Sequence, residues 1–237
     1  MTSATNEASA APRPVFDWLM AVAVLAVAGA YARIVYFTPP DATLGLAQKI
    51  YYVHVPAAIA GYMAVSLTAL MSLVYLWLHD ERADRLADAS AEVGLLFLTV
   101  VLTSGPIWAH SSWGTWWSWG DMRLTLTLFL WFIVAGYLVM RGAIEDHGMR
   151  ARYAAVLGIL GALLIPFIHL SVYLFRTLHP MPIVLKPSEP SLPSDMLKTF
   201  LIATLAFALF CVALIRARYR YGLARDLLAR LESGGAA

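Results

Sequence analysis

From residue 50 to residue 78 the chain carries no formally charged side chain, and five further stretches carry one or none. A helix needs roughly 20 mostly apolar residues to cross a bilayer, and inside lipid every backbone N–H and C=O has to be paired within its own segment. Stretches 18–37, 50–78, 89–109, 124–140, 153–175 and 196–215 therefore predict six transmembrane helices, and the fold class is an all-α integral membrane protein. The second stretch is long enough to tilt or to project beyond the bilayer. Hydrophobic residues make up 60% of the chain and charged residues 14%, with a mean hydropathy of +0.69, which leaves no room for a large soluble domain. Residues 1–14, rich in Ala, Ser and Thr, read as a disordered tail, 15–215 as the membrane domain and 216–237 as a basic tail.

The placement of Lys and Arg orients these helices. Eleven, among them Arg82, Arg85, Arg141, Arg150, Arg216 and Arg220, fall on one side, and six (Arg33, Lys49, Arg123, Arg176, Lys186, Lys198) on the other. By the positive-inside rule both termini and the connections near Glu81 and Glu145 are cytoplasmic. Three connections then face outward, 38–49, 109–123 and 176–195, and the last, rich in Pro, is expected to be partly ordered by packing on its neighbours. The single cysteine, Cys211, excludes an internal disulfide, a Cys-x-x-Cys redox pair and a Cys-x-x-Cys-His haem attachment site. No phosphate-binding Gly-x-x-x-x-Gly-Lys-Ser/Thr loop is present, so any ATP hydrolysis belongs to another subunit.

The outward segment 108–123 holds Trp108, Trp113, Trp116, Trp117 and Trp119, five of the eight tryptophans. Two readings fit: an aromatic belt at the membrane interface, or a flat apolar platform for an aromatic ligand. Trp113, Trp116 and Trp117 stand at i, i+3 and i+4, so a helical turn there would gather three indoles on one face. Asp121 and Arg123 close the segment, as a helix cap and a surface anchor, or with Arg123 as the partner of a ligand carboxylate.

Six histidines divide by topology. His79 and His147 lie in charged cytoplasmic connections and read as solvated. His110 flanks the tryptophan segment, and His169 lies beyond Pro166 in the fifth span, where its ring is read as hydrogen-bonding to backbone that the proline frees. His54, near the outer end of the second span, and His179, just past the fifth, fall at one membrane level on different segments. Either one alone reads more readily as hydrogen-bonded structure, but two at one depth beside the tryptophans also suit a haem iron, which takes axial ligands from opposite faces.

The stretch Trp113-Gly-Thr-Trp116-Trp117-Ser-Trp119-Gly-Asp121-Met-Arg123-Leu-Thr125 resembles the tryptophan-rich WWD signature of the haem exporter protein C family, also called cytochrome c maturation protein C. His54-Val-Pro-Ala-Ala58 and Thr177-Leu-His179 resemble two further stretches of that family, with Gly120 intervening before Asp121 where the family has Trp-Asp directly. The resemblance implies six spans with both termini cytoplasmic and a multi-pass place in the bacterial inner membrane. It also implies a non-covalent, transient haem b on the periplasmic side. His54 and His179 would be the iron ligands, and the loop of Trp113, Trp116, Trp117, Trp119, Asp121 and Arg123 would cradle the porphyrin. It further implies partners: the two proteins of an ABC transporter (cytochrome c maturation proteins A and B), a small membrane protein (cytochrome c maturation protein D) and a periplasmic haem chaperone (cytochrome c maturation protein E). Membrane lipid is its solvent, and no nucleic acid is expected. The expected role is delivery rather than enzymatic. Alternatives are a component of a cytochrome c haem lyase, which in such relatives generally has more spans and a further histidine pair, or a subunit that moves haem across the bilayer. A b-type cytochrome would more typically hold its paired histidines within the spans.

Overall fold

The computed structural model describes residues 16–234 except 185 and 187. Its helices are α1 (Trp18–Ala32), extended by a π turn (Arg33–Phe37), α2 (Tyr51–Leu78), entered through a 3-10 turn (Leu46–Ile50), α3 (Glu81–Trp113), α4 (Met122–Ala143), α5 (His147–Phe175) and α6 (Ser194–Gly234). Six are long and apolar enough to cross a membrane, as the sequence predicts. Four begin on an aspartate: Asp17, Asp80, Asp121 and Asp146 each accept from a backbone N–H of the first turn, satisfying a donor that has no partner within the helix. Helices α2, α3 and α5 stop where the chain turns left-handed, at His79 (φ 53°), Gly114 (φ 73°) and Arg176 (φ 46°).

Helix α2 is central and packs against α3, α5 and α6. Its contact faces are alanine-rich, with Ala57, Ala60 and Ala64 fully buried, and small residues on the facing helices let the backbones approach. A Cβ at Gly94 of α3 would lie 3.1 Å from Val65 Cγ2, and one at Gly158 of α5 would lie 3.0 Å from Ser72 Oγ. Leu25, Leu70, Leu96, Phe129, Leu163 and Leu205 are exposed on the outside of the bundle, where lipid rather than water meets them.

Several helices run past their apolar stretches, α5 starting at His147 under its Asp146 cap, and for two of them the reason is ion pairing. Helix α3 begins at Glu81, not near 89, and α6 runs on through the segment read as a basic tail from 216. Asp84, Asp88 and Glu92 lie four residues apart on one face of α3. Arg141 of α4 bonds both oxygens of Asp84 at 2.6 and 2.9 Å and reaches Asp88 at 2.9 Å. Arg218 of α6 pairs with Glu92, and Arg85 holds Asp226 at 2.9 Å. Charge that looks like helix-ending solvation in the sequence is paired between helices, so the helices continue. Residues 1–14, read as a disordered tail, lie outside the described residues.

The described residues of the long connection after α5 pack on their neighbours, as expected. Val184 and Leu192 lie against a core of Ile34, Tyr52 and Phe200, and Ser191 N donates to Ile183 O at 2.8 Å.

Candidate functional site

The tryptophan segment does not form the helical turn that its spacing allows. Trp113 is the last residue of α3, and the Gly114 N–H closes the helix on His110 O at 3.0 Å, so Trp116 and Trp117 lie in an irregular loop. The indoles are fixed in pairs instead. Trp108 meets Trp113 edge to face at 5.0 Å, Trp117 meets Trp119 at 5.6 Å, and Trp116 stacks on His110 at 4.2 Å with 21° between the planes. Local hydrogen bonds set the backbone. Thr115 Oγ1 donates to Trp117 O at 3.0 Å, Thr125 Oγ1 to Trp119 O at 3.1 Å, and Asp121 N to Ser118 O at 3.1 Å. The last closes a turn that contains Gly120, where a Cβ would meet only Ser118 Oγ at 3.9 Å, so the extra residue is absorbed without crowding. Trp116 and Trp119 remain 57% and 69% exposed, so the loop presents large aromatic faces at the surface.

Asp121 is 1% exposed and serves two segments. Its Oδ1 accepts from Arg123 N (3.0 Å) and Leu124 N (3.2 Å), starting α4, while Oδ2 accepts from His179 N at 2.8 Å. That bond brings the connection after α5 to the tryptophan loop. The His179 ring then stands 6.1 Å from Trp113, edge to face. Burial, reinforced by the positive Arg123, holds its imidazolium well below the ordinary histidine range, so the ring is neutral and its electron pair is available. His54 on α2 hydrogen-bonds through Nδ1 to Ser104 Oγ of α3 at 2.9 Å. Both rings lie within electrostatic reach of Arg123, and His179 also within that of His54.

Arg123 takes part in none of the ion pairs among the described residues and donates one long bond, Nε to Ile168 O at 3.4 Å. Most of its donor fork is left for a carboxylate. His169 is exposed, and the neighbour its ring faces is Tyr173 at 6.1 Å rather than backbone freed by Pro166. His79 and His147 are exposed at the opposite end. Ser104 escaped the sequence reading: it lies 50 residues from His54, and no spacing rule connects two helices at that separation.

A profile described as "CcmC: Heme exporter protein C" matches residues 2–232 of the chain. The chain belongs to the haem exporter protein C family. Among its relatives, the "Heme exporter protein C" of Haemophilus influenzae is 34% identical over 190 residues, 80% of this chain and 77% of that protein. That of Bradyrhizobium diazoefficiens is 34% identical over 220 residues, covering 92% and 82%. That of Rhodobacter capsulatus is 28% identical over 216 residues, covering 91% and 89%.

The residues at this end of the bundle fit a haem. His179 Nδ1, Trp108 Nε1, Trp117 Nε1, Ser112 Oγ and Thr177 Oγ1 are buried without a hydrogen-bond partner. Buried polar atoms are rarely left so, and these five belong to residues 108–117 and 177–179, on either side of the bond between Asp121 and His179. A flat apolar ring with an iron centre and carboxylate side chains would use the imidazoles, the indole faces and the arginine fork.

Proposed function

We propose that this haem exporter C family member holds haem b, non-covalently and transiently, at the periplasmic face of the inner membrane and delivers it to a periplasmic haem chaperone in c-type cytochrome biogenesis. The observation that carries the reading is that His179, from the connection after α5, is held beside Trp113 by its bond to Asp121 and lies within electrostatic reach of His54 on α2. In this reading the two imidazoles bind iron from opposite faces. Trp113, Trp116, Trp117 and Trp119 support the ring, and Arg123 takes a propionate. The orientation follows from the eleven-to-six division of Lys and Arg, which puts the tryptophan end outside.

A delivery protein has to release what it binds. The exposed faces of Trp116 and Trp119 suit that need, because a surface loop leaves one edge of the ring open to a receiving protein. The role is one of binding and transfer. The ATP-driven step is assigned to the ABC transporter formed by cytochrome c maturation proteins A and B. The small cytochrome c maturation protein D completes the membrane complex, and the chaperone, cytochrome c maturation protein E, receives the haem.

The test is a direct transfer assay. Purified protein loaded with haem is mixed with the chaperone, and haem on the separated chaperone is measured. Transfer that depends on His54 and His179 supports delivery. A stable haem that cycles between redox states with a quinone and never reaches the chaperone would make the protein a b-type cytochrome.

A further inference from the structure

His54 is seated on α3 by two adjacent residues. Its Nδ1 stands 2.9 Å from Ser104 Oγ. Gly105 leaves space for the ring, since a Cβ there would lie 3.1 Å from His54 Cε1. The Ser104 hydroxyl has a single proton, and that proton is already committed. Oγ donates to Val100 O at 2.6 Å, a short O–H···O bond that requires a proton between the two oxygens. Toward His54 the same oxygen can only accept. The proton between Ser104 and His54 therefore belongs to the imidazole: Nδ1 carries it, and Nε2 keeps the free electron pair. His179 has no such arrangement, because its Nδ1 is buried without a partner and the segment is held through its backbone N–H on Asp121.

We infer that Ser104 and Gly105 are positioning residues that fix His54 in the Nδ1–H tautomer, with Nε2 presented to the iron. The inference rests on the haem reading above. A histidine that binds a metal commonly gives its second N–H to an acceptor, which sets ring orientation and raises the basicity of the ligating nitrogen. Here the acceptor is a helix hydroxyl made one-directional by its own bond to the preceding turn. A free hydroxyl could turn its proton either way and would leave the tautomer open.

The tautomer can be read without haem. Protein labelled with 15N-histidine, haem-free in lipid nanodiscs, should show His54 protonated at Nδ1 and bare at Nε2 in two-bond 1H–15N correlations. The Ser104→Ala change should turn this signal into a mixture of tautomers. The Ser104→Thr variant, whose hydroxyl can make the same bond to the carbonyl four residues back, should restore it. Gly105→Ala should move the ring without altering the Ser104 bond to Val100. In a haem titration, Ser104→Ala should weaken binding by about 10- to 100-fold, the usual effect of removing such a supporting partner, and Ser104→Thr should recover most of it. Protonation of His54 at Nε2 in the wild type, or a tautomer and affinity unchanged in Ser104→Ala, would overturn the inference. Failure of the wild type to bind haem at all would refute the haem reading instead, and the haem-free spectra would still decide the tautomer.

Discussion

Replacing Asp121 with Asn separates two tasks that one carboxylate performs. Oδ1 caps α4 through two backbone N–H groups, and Oδ2 receives His179 N–H at 2.8 Å, with the side chain 1% exposed. Asn is as good an N-cap as Asp, so its single oxygen can keep the α4 bonds. Its amide nitrogen then faces the His179 N–H, donor against donor. A hydrogen bond to a charged group contributes about 1.5–3 kcal/mol, and a cap about 0.5–2 kcal/mol. Asp121→Asn should therefore loosen the His179 segment by about 1.5–3 kcal/mol while α4 stays intact. Asp121→Ala, which also removes the cap, should cost roughly 2–5 kcal/mol from the same two terms. Since 1.4 kcal/mol is about tenfold in an equilibrium constant, amide exchange at His179 should accelerate about 10- to 100-fold in Asp121→Asn. Exchange in the first turn of α4 should change little. Equal acceleration at both places, or none at His179, would refute the idea that Asp121 ties the histidine segment to the tryptophan loop.

Three other perturbations test separate features. Single cysteines in place of the exposed Ser111 and Glu145, in a background lacking Cys211, should react with a membrane-impermeant thiol reagent in intact cells at 111 and not at 145; the reverse pattern overturns the orientation. Arg141→Ala leaves Asp84 and Asp88 unpaired between helices, and with side-chain exposures of 10% for Arg141 and 7% for Asp84 it should destabilise the folded protein by about 3–5 kcal/mol, read as a lower unfolding midpoint in detergent. Trp116→Ala with Trp117→Ala should reduce haem transfer to the chaperone at matched protein levels while some haem binding persists, whereas undiminished transfer would return these tryptophans to an interfacial belt.

Where the sequence and the structure agree, the cause is local. The six spans are set by uninterrupted apolar length, and the Asp121 cap by its place before an apolar run, both visible in a single stretch of chain. Where they part, the cause lies across the fold. Glu92 and Asp88 look like interruptions until Arg218 and Arg141 are seen opposite them. The turn proposed for Trp113, Trp116 and Trp117 had a local warning, because Gly114 follows directly and takes φ 73°, ending the helix before the second indole arrives. That the proposed pair, His54 and His179, stands at one end of the bundle was legible through topology. Its supports were not: the Ser104 bond to His54 and the Asp121 bond to His179 join residues 50 and 58 positions apart, and nothing in the sequence marks either.

Which histidines bind the iron is the question on which the proposed function turns. Absorption and electron paramagnetic resonance spectra of haem-loaded protein should be recorded for the wild type and for His54→Ala, His179→Ala and His169→Ala, each checked for folding. A six-coordinate bis-histidine spectrum is expected in the wild type and in His169→Ala, and loss of haem or of one axial ligand in each of the other two. A folded His169→Ala protein that loses the haem signal while His179→Ala keeps it would contradict the assignment and move the iron site into the fifth span.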